Sequence, residues 1–304
     1  MKIFRDIENI SFKEPVIASI GGFDGIHLGH QKIIHNIAKK AKKKGVKSAI
    51  ITFNPLPKIY FSNKNFEVIS IYEKINFLRK FDIDYLIILR FNKNLISMSA
   101  QDFIEEILIK KLNIKSLTVG DDFKFGKNQS GNIEDLENYA SKGFFNLNIE
   151  NKQCIENTRI SSTLIRDAIA SNDFALASKM LGRSYSISGK IIHGEKRGSK
   201  IGFPTANIKL KANILLSGVY AVSTYFDNKE YYGVANIGYK PTFDGNTYLF
   251  EAHIFDLSKN LYGRILEFHI ISKIRETKKF KGIEELKDNI DNDINSAKKI
   301  FKIK

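Results

Sequence analysis

Apolar positions in the first half of the chain follow two alternating rhythms. Short unbroken runs have the length of strands: VIASI from Val16, SAIITF from Ser48, DYLIILRF from Asp84, SLTVG from Ser116 and FFNLNIE from Phe144. Between them, apolar residues recur at helical spacing. Ser99 followed by Asp102, with Phe103, Ile104, Ile107 and Leu108 on one face, is a helix start leading into an apolar stripe. Strand and helix in repeated alternation predict an α/β domain with a doubly wound parallel sheet and right-handed crossovers. Ligands of such sheets sit at the carboxyl ends of the strands.

Two short helices are expected next, over 162–170 and 172–181, the second closed by Gly182. From Ser184 the pattern becomes period two: SYSISGKIIH, GVYAVSTYF, KEYYGVANIGY, TYLFEAHIF and RILEFHIIS, separated by Gly, Asn and Asp turns. These predict an antiparallel β-barrel. Ile283, Leu286, Ile290, Ile294, Ala297 and Phe301 then form one stripe of a closing helix. The expected domains are 1–182 and 183–304.

Composition narrows the classes. With 43% hydrophobic and 27% charged residues and five prolines, the chain is neither disordered nor low-complexity. No apolar run approaches the roughly 18 to 20 residues of a membrane span, and the first residues, MKIFRDIENISFKEP, are broken by charges, so neither anchor nor signal peptide is expected. Cys154 is the single cysteine, which excludes an intramolecular disulfide and fits a reducing cytoplasm. The net charge of +15 suits nucleic acid, a membrane surface or phosphate-bearing ligands, and does not choose among them. Its densest run, Lys39 to Lys47, reads as the cationic end of an amphipathic helix.

Two stretches carry candidate chemistry. Directly after the first predicted strand come Gly21, Gly22, Phe23, Asp24, Gly25, Ile26, His27, Leu28, Gly29 and His30, then a helix. This is neither a P-loop nor a GxGxxG turn. Its glycines still allow close backbone approach, and a helix N-terminus offers N–H groups and positive potential to an anion. His27 and His30, three apart, share a face there and can donate to an oxygen gaining charge at phosphorus. A zinc pair is the other reading, but HExxH and an evident third ligand are absent. The second stretch runs from His193 to Asn207, with Gly194, Gly198 and Gly202 among Lys196, Arg197 and Lys200. That is a cationic glycine loop suited to phosphates, or else a surface turn. Thr205 and Asn207 supply hard oxygen donors of the type Mg²⁺ accepts.

GGFDGIHLGH resembles the HxGH motif of the nucleotidylyltransferase superfamily, and TFNPLP (52–57), GDDFKFGKNQSG (120–131) and ISSTLIRDAI (160–169) follow in the order of the bacterial bifunctional riboflavin kinase and FAD synthetase family. GFPTAN, ANIGYKPTF (235–243), EAHIFD (251–256), LYG (261–263) and IRETKKF (274–280) resemble its riboflavin kinase part. The resemblance implies a nucleotidylyltransferase-like first domain that adenylylates FMN to FAD and a barrel that phosphorylates riboflavin to FMN. ATP is the co-substrate of both. It implies that His27 and His30 act at the α-phosphate, within an ATP loop that includes Gly22, Phe23, Gly25 and Gly29. It gives the pyrophosphate to Ser162, Thr163 and Arg166, where a simple N-cap is the alternative reading of Ser161 to Thr163. Thr205 and Asn207 would bind Mg²⁺, with Mn²⁺ also suited to such donors. Gly194, Lys200 and Gly202 would hold phosphate, and Glu251 would act as base on the ribityl hydroxyl. Asn54, Asp122, Phe125 and Arg275 are the implied flavin contacts, Arg275 being equally compatible with a phosphate or surface position. Leu56 stands where the family often has a polar residue, and Lys124, Lys200 and Lys240 stand where it often has Arg, keeping charge without the bidentate fork. The competing readings are a relative that kept one activity, or a basic flavin- or RNA-binding protein on degenerate enzyme domains. The expected partners are riboflavin, FMN, FAD and ATP, without nucleic acid or membrane; the sequence is silent on oligomeric state.

Overall fold

The computed structural model describes all residues except 6, 9, 63–65, 152–153, 156–157, 195–200, 211–215, 243–244 and 304, and side chains except also those of 158, 240–242, 245 and 246. It forms two compact units, Met1–Ser162 and Thr163–Lys304.

The first unit contains β1 (Lys2–Phe4), β2 (Val16–Ile20), α1 (Leu28–Lys44), β3 (Lys47–Asn54), α2 (Pro57–Phe61), α3 (Ile71–Leu78), β4 (Tyr85–Arg90), α4 (Lys93–Ser97), α5 (Ala100–Asp102), β5 (Ile114–Gly120), α6 (Ile133–Ser141) and β6 (Asn146–Glu150). A small antiparallel pair, β7 (Cys154–Ile155) and β8 (Thr158–Arg159), follows. The six main strands pair in parallel in the order β1-β4-β3-β2-β5-β6. The doubly wound sheet is therefore as expected, with one addition, the edge strand β1, whose three residues are too short to leave a periodic signal. Phe4 on β1 packs edge-on against Phe12 and Tyr85, with ring centroids 5.1 and 5.5 Å away. Strand β2 is buried at every position, which is why its sequence is apolar without alternation.

Strand order reverses beside β2: the chain steps outward through β3 and β4, then returns to place β5 on the other side. In sheets of this kind ligands bind at such a switch point, here the carboxyl end of β2, where the glycine turn begins. The helix announced at Ser99 forms, Ser99 Oγ accepting from the Asp102 N–H at 3.0 Å. It then widens into a π-helix over Phe103–Lys111 while still burying Phe103, Ile104, Ile107 and Leu108. The cationic run ends α1: Lys42, Lys43 and Lys44 form its last turn and Gly45 caps it in the left-handed conformation.

The second unit holds α7 (Ser162–Ala170), whose first residue closes the first unit, α8 (Phe174–Leu181), and β9 (Ser186–Ile192), β10 (Ala206–Lys209), β11 (Gly218–Phe226), β12 (Lys229–Thr242), β13 (Gly245–Ile254), β14 (Ile265–Arg275) and α9 (Ile283–Phe301). The strands close a barrel in the order β10-β13-β12-β11-β14-β9. The compact units divide after the first residue of α7, whereas the sequence pattern places the boundary at Gly182. Periodicity marks where helices give way to strands, but packing ties α8 to the barrel. The Phe174 ring lies 5.9 Å from Tyr220 and 6.1 Å from Tyr185, and the Tyr220 hydroxyl donates to Asn172 Oδ1 at 3.2 Å.

Strand β10 was not expected. It consists of four residues inside a stretch read as a ligand loop, yet it seals the barrel between β9 and β13. The closing helix α9 docks through its C-terminal half: Ile294, Ala297 and Phe301 meet Ala221, Val234 and Phe255. Ile283, counted in the predicted stripe, is 61% exposed, so the apolar face begins later than the pattern implied.

Candidate active sites

At the first site, the chain leaves β2 through Gly21 and Gly22 and enters α1 with His27 as N-cap. Phe23 and Ile26 take φ of 44° and 42°, a region that costs non-glycine residues energy, and Gly25 has φ 79°. Burial holds them there, Phe23 being 2% and Ile26 0% exposed. The result is a buried turn ahead of a helix whose first turn contains no acidic residue. Gly29 is buried on α1, and Leu56 packs over Gly22, where an added Cβ would stand 3.7 Å from Leu56 Cδ2.

The two imidazoles stack with centroids 3.6 Å apart and an interplanar angle of 17°. His27 Nδ1 accepts from the His30 N–H at 3.3 Å, so a neutral His27 carries its proton on Nε2 and is a donor there. His30 has a buried Nδ1 with no partner among the described residues. Burial, and then the neighbouring His27 and Lys74, push its pKa well below the usual imidazole value. The arrangement therefore sets a His30 ring whose protonation is disfavoured, stacked on His27, beside helix N–H groups.

Ser162 Oγ donates to the Asp24 carbonyl at 2.9 Å, bringing Ser162 to the glycine turn. Thr163 and Arg166 follow on α7, in the second unit, with Arg166 8% exposed. Of the flavin candidates, Asn54 and Asp122 stand at and just beyond the carboxyl ends of β3 and β5, which flank β2. Asp122 is ion-paired with Arg159 at 2.9 Å. Phe125 faces the core instead: it is 7% exposed and stacks on Phe123 at 5.5 Å. Lys124 is exposed.

One residue that sequence reasoning missed is Lys74. It is 2% exposed, and its Nζ donates to the Gly22 carbonyl at 2.7 Å and to Thr52 Oγ1 at 3.3 Å. The signal was a lysine on the apolar stripe of α3, between Ile71, Ile75 and Leu78.

At the second site, β10 places Asn207 directly opposite Glu251 on β13, and Glu251 opposite Asn236 on β12. Paired residues project from the same side of a sheet. The three form a polar row whose neighbours in register, Ala206, Ala252 and Ala235, belong to the core. Asn236 is the second residue missed; it lies inside a quoted motif, but only register reveals its place beside Glu251. Asn207 is 4% exposed, and its Nδ2 donates to the Thr205 carbonyl at 3.2 Å. Its Oδ1 is buried without a partner among the described residues, an acceptor held ready for a donor or a cation.

Gly194 covers Asn207: a Cβ there would fall 2.6 Å from Nδ2. Gly202 has φ 95°. Lys200, with the rest of 195–200, and the Lys240 side chain lie outside the described residues. A cavity of about 190 Å³ borders Thr205, lined also by Ile191, Ala252, Ile254, Lys259 and Tyr262. Arg275 does not face it. Nε and one terminal nitrogen donate to the two oxygens of the buried Asp293 carboxylate on α9, both at 2.7 Å, and the other terminal nitrogen donates to the Glu276 carbonyl. These bonds tie the end of β14 to the closing helix.

Among the described residues, no group of three or more His, Cys, Asp or Glu comes together to hold a metal, so the zinc reading of the histidine pair lacks a ligand set. A glycine turn at the switch point of a parallel sheet, joined in one chain to a barrel with a hydroxyl, amide and carboxylate row, defines a two-part transferase acting on phosphate compounds. Residues 9–164 match the family model described as FAD synthetase, and residues 181–301 the one described as riboflavin kinase. The chain belongs to the bifunctional riboflavin kinase/FMN adenylyltransferase family, with the adenylyltransferase part first and the kinase part second.

It is 41% identical to the bifunctional riboflavin kinase/FMN adenylyltransferase of Buchnera aphidicola subsp. Schizaphis graminum over 100% of both chains. Identity to the protein of the same name from Haemophilus influenzae is 39%, over 99% of each. That from Escherichia coli is 35% identical, over 99% of this chain and 98% of the relative. A crystal structure described as that of a macrolide-efflux protein from Streptococcus pneumoniae superimposes with a TM-score of 0.80 at 30% identity, covering 97% of this chain and 98% of that one. In the present chain, no helix of the described residues is long and apolar enough to cross a membrane.

Proposed function

We propose that the polar row of the barrel carries the phosphorylation of riboflavin and the glycine turn of the first unit carries the adenylylation of FMN, each with ATP as the second substrate. The observation that carries the first half is the register of Asn207 and Glu251 on adjacent strands. In the kinase reaction, Glu251 accepts the proton of the ribityl 5′-hydroxyl as that oxygen bonds to the γ-phosphorus and the bond to ADP breaks. Thr205 Oγ1 and the unpartnered Asn207 Oδ1 fit a Mg²⁺ ion, with Mn²⁺ suited to the same donors, and such an ion supplies charge neutralisation at the phosphates. Gly194, Lys200 and Gly202 are assigned to phosphate, and the cavity beside Thr205 to the nucleotide.

In the second reaction, a phosphate oxygen of FMN bonds to the α-phosphorus of ATP and pyrophosphate leaves. His27 donates through Nε2 to the α-phosphate oxygen gaining charge, with His30 stacked behind it and the N–H groups of the turn and α1 alongside. Ser162, Thr163 and Arg166 are assigned to the departing pyrophosphate on the strength of their motif. Asn54 and Asp122 are assigned to the flavin; the buried Phe125 shapes the wall behind them. The domains are taken as 1–182 and 183–304, and the cytoplasm as their place of action.

The test is a time course of purified protein with riboflavin, ATP and Mg²⁺, the flavins separated by chromatography. FMN should rise and then give way to FAD. FMN that accumulates without FAD overturns the assignment to the first unit, and no product overturns both. A separate prediction concerns Gly194→Ala. The added methyl collides with Asn207, so FMN formation should fall by about tenfold or more, as small displacements in a reacting site commonly cost. FAD formation from supplied FMN should persist, and assays of the two half-reactions check this.

A further inference from the structure

Lys74 is a buried cation that the chemistry above does not use. Its helix α3 presents Ile71, Ile75 and Leu78 to the core, and Lys74 lies on that same face with its Nζ directed at the glycine turn. Two donors converge on one oxygen there: Lys74 Nζ at 2.7 Å and Thr52 Oγ1 at 3.1 Å both reach the Gly22 carbonyl, and Lys74 also bonds Thr52. Thr52 is 0% and Lys74 2% exposed, so neither is placed to meet a ligand itself. A lysine buried at this level requires an electrostatic reason, because burial opposes its charge and lowers its pKa, against which Asp24 and Glu67 raise it.

We infer that Lys74 is a positioning residue for adenylyl transfer, which with Thr52 holds the Gly22 carbonyl turned into the protein so that the glycine turn presents N–H groups to the triphosphate. This rests on the reading of the turn as the ATP site. A turn free to rotate would present carbonyl oxygens to an anion, and a nearby reacting site loses rate steeply with such displacement. The cation has a second effect. The titratable groups acting on His30 are His27 from the turn and Lys74 from α3, and the Lys74 charge opposes protonation of the His30 ring.

The experiment compares Lys74→Met and Thr52→Val in the full chain. Lys74→Met keeps an apolar stem and removes the donors, and Thr52→Val keeps the shape and removes one strut. FAD formation from supplied FMN is expected to lose about 10²-fold in kcat for Lys74→Met and less for Thr52→Val. FMN formation by the barrel should be unchanged in both, which serves as the control for folding. The His30 imidazole, titrated by NMR in the free protein, should protonate at higher pH in Lys74→Met than in the parent, a readout that a merely structural lysine would not move. Unchanged FAD kinetics in both variants overturn the inference, and so does an equal loss of FMN and FAD formation, or a His30 titration that stays put. If His27→Ala itself leaves FAD formation intact, the reading of the site fails; if only the Lys74 and Thr52 variants do, this inference fails alone.

Discussion

Replacing His27 by alanine is expected to slow FAD formation from FMN by about 10²- to 10³-fold, the usual cost of removing one donor to developing charge. FMN formation from riboflavin should continue at its normal rate, because the barrel contains its own polar groups, Asn207 and Glu251 in register with Thr205 beside Asn207. His27 has two roles that the substitution removes together. As N-cap of α1 it accepts from the His30 N–H, and loss of a cap costs about 1 kcal/mol of stability. As a ring with its proton on Nε2 it donates outward. His27→Ser separates the two: serine is among the best N-caps, so stability should return toward the parent, while its short hydroxyl cannot replace the imidazole at phosphorus. The checks are thermal unfolding and separate assays of each half-reaction. Recovery of FAD formation in His27→Ser would mean that His27 serves only as a cap, and the site would then have to be rebuilt around His30 and the helix N–H groups.

The parts of this fold that were legible in the sequence are those with a repeating signal. VIASI reads as a buried central strand because both of its faces are covered, and the glycine turn after it announces an anion site by composition alone. Three features escaped for physical reasons. Strand β10 has four residues, and Asn207 within it was read by its donor atoms rather than by its place in a ladder. Asn236 acquires meaning only through its register with Glu251, a relation between strands that no local pattern encodes. Lys74 was visible as a charge on an apolar stripe, but its partner, a backbone carbonyl far away in sequence, was not. The bond from Arg275 to Asp293, 18 residues later on the closing helix, was likewise invisible to local pattern.

Glu251→Gln and Glu251→Ala are both expected to slow FMN formation by about 10²- to 10⁴-fold, the range contributed by a positioned general base. The glutamine variant is the sharper of the two. It retains the shape of the side chain in the row between Asn207 and Asn236 and can still orient a hydroxyl, but it cannot accept the proton. Near-equal rates for Gln and Ala would therefore assign the loss to proton transfer rather than to packing. A glutamine variant close to the parent would assign Glu251 to orientation only and remove it as the base. Glu251 is half-buried, so thermal unfolding of both variants is the check that a lost rate is not lost folding. FAD formation from supplied FMN is the internal control. It should run at the parent rate in both variants, because the barrel and the glycine turn are separate compact units, and a chain given FMN directly has no need of the base at residue 251.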